Sequence, residues 1–204
     1  MAYKTAQENF WAGEFCEDYI KRNNDERLVA SNIALFRDII RSAPNIGSIL
    51  ELGCNIGLNL KALRALNDAF ELSGIEINEL AAAQARMLKI ADIRCGSLLD
   101  PLKSEASFDL VFTKTVLIHI NPDELDKAYE NLYRLSSRYI AVCEYYNPTP
   151  MMVPYRGNQE RLFKRDFAGE LIDRYGLKLI NYGFAYHRDN YHSQDDITWF
   201  LLEK

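Results

Sequence analysis

A chain of 204 residues with 48% apolar and 26% charged side chains can build one domain with a substantial core, which excludes a disordered protein. A net charge of −5 argues against a general grip on nucleic acid, although a local basic patch stays open. Cys16, Cys54, Cys95 and Cys143 are scattered without a C-x-x-C pair, and no stretch approaches 18 apolar residues. No disulfide frame, zinc or other metal site, or membrane span is expected, and the protein reads as soluble and cytoplasmic.

Residues 1–30 form a charged and aromatic lead-in, the first part of an N-terminal helical cap expected over 1–45. Trp11, Phe15 and Tyr19 recur every four residues and would share one helical face. That face either staples the lead-in to the domain or covers a bound cofactor as a lid, with Trp11 and Tyr19 then facing it. A second short helix is predicted over 32–41, closed by Pro44 and Gly47.

From Ser48 the pattern alternates. Strands are predicted at 48–52, 70–76, 92–95, 108–113 and 138–144, and helices at 57–66, 78–90, 122–136 and 166–175. Asn121 and Pro122 mark a clear helix start. Repeated βα units imply a parallel sheet with right-handed crossovers. Residues 177–187 and 197–203 read as two strands without a helix between them, so the sheet ends in a hairpin. No repeat or linker divides the chain. The lead-in is followed by a core over 48–145 and by a loop, helix and hairpin over 146–204.

The most informative stretch is Ile49-Leu50-Glu51-Leu52-Gly53-Cys54-Asn55-Ile56-Gly57-Leu58-Asn59. An apolar strand, as expected of one buried on both faces, runs through two glycines into a helix. Gly53 permits a sharp turn and close approach of backbone to a ligand. Glu76, at the tip of the next predicted strand, is placed to accept hydrogen bonds from a ribose diol. The dinucleotide fingerprint G-x-G-x-x-G needs a middle glycine to approach a pyrophosphate. Asn55 stands there instead, so an adenosine cofactor without phosphate fits better, and S-adenosylmethionine is one.

Glu51-Leu52-Gly53-Cys54-Asn55-Ile56-Gly57 resembles the first motif of class I methyltransferases, E/D-x-G-x-x-x-G, and Phe108-Asp109-Leu110-Val111 resembles their fourth. The resemblance implies a Rossmann-like α/β fold: a mostly parallel seven-stranded sheet with an antiparallel last strand and helices on both faces. It implies S-adenosylmethionine as cofactor and S-adenosylhomocysteine as product. Glu51, Gly53, Asn55, Gly57, Asn59, Glu76 and Ile77 would then surround it. Ser97, or a backbone N–H beside it, would meet the adenine edge and Leu98 the adenine face. Thr113 and Lys114 stand at a strand's carboxyl end, where open α/β sheets bind ligands. Asp109, at that strand's start, reads as structural. His119 falls in the loop expected beside the methyl group. It would act as general base, position the acceptor, or simply pack. Glu144 and His187 complete the catalytic candidates.

The acceptor side is read after residue 143. Tyr145, Tyr146, Asn147, Tyr155 and three prolines suggest an extended, aromatic and polar segment overhanging the site and suited to a polyol. Arg156, Arg161, Lys164 and Arg165 form a positive run that would either hold a phosphate or carboxylate or be a solvated helix start. His187-Arg188-Asp189-Asn190 adds a second polar group to the same rim.

Seven segments then bear a closer resemblance: Phe10 to Phe15, Glu51 to Asn59, Val116 to Pro122, Glu144 to Pro150, Tyr155 to Gly157, Leu162 to Glu170 and Tyr186 to Asn190. They look like the methylases associated with pseudaminic acid biosynthesis, with Cys16 standing where that family would have Gly. The resemblance implies a bacterial methyltransferase acting on a small anionic sugar-like acceptor, a nonulosonic acid or related surface-glycan precursor. Two alternatives remain: a nucleotide-dependent oxidoreductase, disfavoured by Asn55 and the terminal hairpin, and a non-catalytic scaffold that binds the cofactor. Nucleic-acid methylation is disfavoured by the acidic balance and by the lack of an N/D-P-P-Y/F motif.

Overall fold

The computed structural model describes residues 3–23, 25–102 and 107–204. Three helices lead in: α1 (Ala6–Ala12), α2 (Glu14–Arg22) and α3 (Glu26–Arg41). The core follows as β1 (Ser48–Leu52), α4 (Leu58–Leu66), β2 (Glu71–Glu76), α5 (Glu79–Met87), β3 (Asp92–Cys95) and β4 (Phe108–Lys114). Two 3₁₀ turns at Leu117–His119 and Pro122–Glu124 precede α6 (Leu125–Leu135) and β5 (Ser136–Glu144). Then come β6 (Met151–Tyr155), β7 (Asn158–Lys164), α7 (Phe167–Tyr175), β8 (Lys178–Ala185) and β9 (Ile197–Glu203).

Among the described residues, seven strands pair in the order β3-β2-β1-β4-β5-β9-β8. The first five are mutually parallel, and β9 runs antiparallel to both β5 and β8. This is the Rossmann-like α/β sheet with an antiparallel last strand that the sequence predicts. Alternating residues along each strand explain the two cores. Ile49, Leu110 and Phe112 pack on one side with Phe36 and Ile39 of α3 and Leu60 and Leu63 of α4. Leu50, Val111 and Ile140 pack on the other with Leu125 and Leu132 of α6 and Leu171 of α7.

Several boundaries differ from those expected. The helical stretch expected to carry Trp11, Phe15 and Tyr19 is split into α1 and α2, because Gly13 is extended (φ −98°, ψ −159°) and breaks the run. The rings of Trp11 and Phe15, and of Trp11 and Tyr19, still meet, each pair at 5.3 Å. The helix expected over 32–41 begins six residues earlier, capped by Asp25, whose side chain accepts from Arg27 N. The helix expected over 122–136 opens as a 3₁₀ turn, and Ser136 already belongs to β5. The extended segment after residue 146 folds back from Met151 as the β6–β7 hairpin. Its two-residue loop, Arg156-Gly157, has φ of +48° and +81°, the signature of the hairpin-forming type I′ turn. Arg161 and Lys164 therefore lie on a strand and not at a helix start. No helix among the described residues is long and apolar enough to cross a membrane.

Asp109 has the structural role read for it. Its Oδ2 accepts from Gly47 N (2.7 Å), Ser48 N (2.9 Å) and Ser48 Oγ (3.1 Å), which ties the start of β4 to the entry of β1. The Gly47 and Ser48 N–H groups hold this carboxyl below the usual range. Replacing Asp109 by Ala should therefore cost about 1–3 kcal/mol in urea unfolding at pH 7. Because the folded carboxyl titrates low, that stability is present above the unfolded value of about 3.9 and fades as pH falls through the folded one. The stability gap between wild type and variant should therefore narrow as pH falls below about 3.9.

Candidate functional site

The carboxyl ends of β1 to β4 meet along one edge of the sheet, where a cavity of about 430 Å³ opens. Its first wall is the turn between β1 and α4. Gly53 sits at φ +85°, and a Cβ there would come 2.5 Å from Val116 Cγ2. Asn55 takes φ +46°, and its Oδ1 accepts from Ile56 N at 2.8 Å, a local bond that supports the left-handed backbone. Asn55 N in turn donates to Glu76 Oε2 at 2.8 Å, while Glu76 Oε1 accepts from Asn78 N at 2.8 Å. Burial pushes the Glu76 carboxyl up, and the N–H groups of Asn78 and Asn55 oppose the rise. The Ile77 N–H also bonds to this carboxylate, which leaves about one of its four acceptor sites for a further donor.

The second wall is the turn after β4. Lys114 lines the cavity and makes no ion pair among the described residues; burial lowers its ammonium. His119 is 7% exposed, and its Nδ1 lies 2.6 Å from the carbonyl oxygen of Arg161. Since a carbonyl only accepts, Nδ1 carries the proton and Nε2 is the basic nitrogen. Burial lowers this imidazole to about 4, so it is neutral at physiological pH. Its ring lies 4.5 Å from that of Trp11 and 4.9 Å from that of Tyr155.

Of the residues expected at the site, Trp11, Tyr19, Gly53, Asn55, Asn59, Glu76, Ile77, Ser97, Leu98, Lys114, His119 and His187 line this one cavity. Glu51, Gly57 and Thr113 lie behind it, with Glu51 and Thr113 fully buried. Asn59 Nδ2 donates to Glu51 Oε1 at 2.5 Å, while Oε2 has no hydrogen-bond partner among the described residues; burial pushes this carboxyl up to about 8.

Other expectations are corrected by the geometry. Glu144 does not line the cavity. Its carboxylate accepts from the N–H groups of Val116 (3.0 Å), Leu117 (3.1 Å) and Ile118 (3.4 Å), so it holds the turn that carries His119. Burial pushes it up to about 7 against those bonds. The Ser97 hydroxyl has no proton to give an adenine edge, because it donates to Glu8 Oε1, and it accepts from Leu99 N, which leaves it one lone pair. Arg165 already has a carboxylate partner: its Nε pairs with Glu170 Oε1 at 2.6 Å, and the other oxygen of Glu170 accepts from Tyr129 OH. Tyr146 is exposed and its ring faces Phe200, and Asn147 bonds to Thr149. Arg188 is exposed between β8 and β9, away from the cavity.

Tyr145, Tyr155, Arg156 and Lys164 stand just outside the lining. Tyr145 OH donates to Asp195 Oδ2 at 2.7 Å. The Arg156 guanidinium lies 5.9 Å from the Tyr155 ring and the Lys164 ammonium 5.4 Å from the Tyr145 ring; neither has a carboxylate partner among the described residues. His187 lies on the rim with Nδ1 2.8 Å from Asp196 Oδ1.

Sequence reasoning missed Gln7, Glu8, Asn23, Asn32, Ser193, Gln194 and Asp195, which also line the cavity. Only Glu8 left a readable signal. Thr5-Ala6-Gln7-Glu8 is a capping box, and Thr5 and Glu8 do cap α1 reciprocally. From there α1 is fastened across the edge: Lys4 Nζ donates to Leu99 O (2.8 Å) and pairs with Asp100 (2.7 Å), and Gln7 Nε2 donates to Glu160 O (3.0 Å).

Residues 49–138 match the family model described as a methyltransferase domain, a little under half of the chain. The matched segment carries the two walls of the cavity built on the turns after β1 and β4. A tRNA N(3)-methylcytidine methyltransferase of Schizosaccharomyces pombe is 26% identical over 146 residues, which covers 66% of this chain and 47% of the relative. The chain thus spans about half the length of this curated relative. The domain's fold is shared with magnesium protoporphyrin IX methyltransferase of Synechocystis PCC 6803 with bound S-adenosylhomocysteine (TM-score 0.73, 12% identity, 99% of this chain and 100% of that one). It is also shared with a 1,6-didemethyltoxoflavin N1-methyltransferase of Burkholderia thailandensis (TM-score 0.71, 12% identity, 100% and 93%).

Glu51 gives the domain a measurable pH signature. A carboxyl raised from 4.5 to about 8 destabilises the fold once it ionises, so its effect is absent at low pH and appears as pH rises through that window. Glu51→Gln cannot ionise. Its stability relative to wild type should therefore increase between pH 5 and pH 8.5, on the order of a few kcal/mol by urea unfolding. Parallel pH profiles for the two proteins would contradict this assignment.

Proposed function

We propose that this chain transfers a methyl group from S-adenosylmethionine to a small, anionic, sugar-like acceptor, a nonulosonic acid of the pseudaminic type or a related surface-glycan precursor. The observation that carries the reading is the continuity of the cavity. One end presents Glu76, Asn55, Ile77 and Leu98, and the same space continues to Lys114, His119, His187 and Asp195.

The first end fits an adenosine group. The buried Glu76 carboxylate keeps an acceptor site for a ribose hydroxyl, and Ile75, Ile77 and Leu98 offer apolar faces for a base. A volume near 430 Å³ falls within the range for small-molecule sites. When bound, S-adenosylmethionine supplies an electrophilic methyl group on a sulfonium. Gly53, Asn55 and Glu76 orient that cofactor, and Trp11 and Tyr19 cover it from the lead-in helices. Lys114 offers a cation to a carboxylate within the cavity.

The second end supports the acceptor class. Arg156 and Lys164 stand over tyrosine rings without carboxylate partners, and they can hold an anionic group at the mouth. Asn32, Tyr19, Ser193, Gln194 and Asp195 offer hydrogen bonds to hydroxyls farther in. His119, neutral and fixed through Arg161, orients the acceptor's nucleophile. Alignment of two bound reactants supplies roughly 7–11 kcal/mol, whereas a general base supplies about 3–5.

Two experiments test the reading. Glu76→Ala should weaken S-adenosylhomocysteine binding about ten- to a hundredfold by calorimetry. Unchanged affinity would remove Glu76 from the cofactor site. Mass spectrometry of sugar acids and nucleotide sugars, incubated with protein and labelled cofactor, should show transfer of one methyl group. The S. pombe relative favours a second reading, methylation of RNA, and bulk tRNA belongs in the same assay. Label in tRNA and in no sugar acid would favour that reading.

A further inference from the structure

We propose that Glu8 selects the base of the cofactor: its carboxylate, brought to the cavity by α1, accepts the exocyclic amine of adenine. This rests on the cofactor reading above and adds a residue outside the motifs that carry it.

Glu8 is 5% exposed and lines the cavity beside Gly96, Ser97 and Ile77, across from the turn that holds Glu76. A buried carboxylate needs donors. Three are present: Ser97 Oγ on Oε1, and Lys4 N (2.5 Å) and Thr5 N (3.3 Å) on Oε2. A carboxylate has about four acceptor sites, so the one left is on Oε1, the oxygen turned toward Ser97 and the β3 loop. The Ser97 hydroxyl itself has none of its hydrogens to spare, since it donates to Glu8, and it already accepts from Leu99 N at 2.9 Å. Ser97 keeps one neutral lone pair, whereas Glu8 presents the charged acceptor at this end, the stronger partner for a donor on a purine edge. An amine donor such as that of adenine satisfies it. A 6-oxo purine would place a carbonyl oxygen against a carboxylate and leave both without a proton between them.

The placement also has a mechanical consequence. Glu8 lies within the helix that Lys4 and Gln7 fasten to Leu99, Asp100 and Glu160. A base bonded to Glu8 adds a further tie between α1 and the sheet edge.

The test compares S-adenosylhomocysteine with S-inosylhomocysteine by calorimetry, on the wild type and on Glu8→Gln. Glutamine keeps the capping-box role at this position and can turn its amide to donate to a 6-oxo group. The wild type should prefer the adenosyl compound by at least about tenfold, and Glu8→Gln should bring the two within about threefold. Equal affinities on the wild type would overturn the proposal without any variant. An unchanged preference in Glu8→Gln would also overturn it while leaving the cofactor reading intact. Folded wild type that binds neither compound would remove the cofactor reading and the proposal together.

Discussion

At the carboxyl end of β2 the Glu76 carboxylate accepts one backbone N–H from each of two loops, Asn55 on one oxygen and Asn78 on the other. The turn leading into α4 and the cap of α5 are thereby held on a single buried group. Asn78 extends the connection, because its side chain accepts from Ala81 N and donates to the carbonyl of Ala12 at 3.0 Å. The lead-in helices are thus anchored to the same point as the cofactor wall. A diol bound at Glu76 would add a donor to a carboxylate that burial disfavours, and so would favour its charged form. A ligand bound there would reinforce the scaffold through this residue.

The β6–β7 hairpin organises the opposite side. Glu160 adopts φ +56°, a left-handed backbone that costs a non-glycine residue about 1–2 kcal/mol. This kink stands where two successive carbonyls are used by different partners: Glu160 O by Gln7 of α1 and Arg161 O by His119. The cover and the histidine are therefore indexed to one short piece of strand. Glu144 completes the arrangement from below by holding the N–H groups of residues 116–118. Strain in β7 is offset by these contacts, in keeping with strained backbone gathering near functional sites.

What was legible in the sequence was local. The apolar strand 48–52, the glycines that follow and Glu76 each carry their meaning within a few residues, and the sheet order follows from alternating βα units with a terminal hairpin. What was illegible depends on partners far apart in the chain. Ser97 and Glu8 are separated by 89 positions, and His119 and Arg161 by 42. Nothing in Ser97's own neighbourhood announces that its hydroxyl proton is taken. The hairpin was missed for a local reason. Tyr155-Arg156-Gly157 lacks the Asn-Gly or Asp-Gly pair that advertises a type I′ turn, and Pro148, Pro150 and Pro154 read as an extended loop. Glu144 was drawn to catalysis by its place at a strand's carboxyl end, yet the same place lets it cap the neighbouring turn.

The burial that holds His119 between Trp11 and Tyr155 also sets what it can do. An imidazole lowered to about 4 is a weak proton acceptor, and proton-transfer catalysis falls off as the base's pKa moves below the working pH. The same burial keeps the ring neutral and fixes its tautomer through the Arg161 carbonyl, which leaves a directed acceptor at Nε2. A site built this way invests in orientation. That suits the proposed methyl transfer, in which holding nucleophile and sulfonium in line outweighs removal of the proton. The side chains around His119 are consistent with this emphasis: Trp11 and Tyr155 restrict its ring, and Glu144 restricts its backbone. Rigidity, more than basicity, is the property that this part of the sheet edge is arranged to supply.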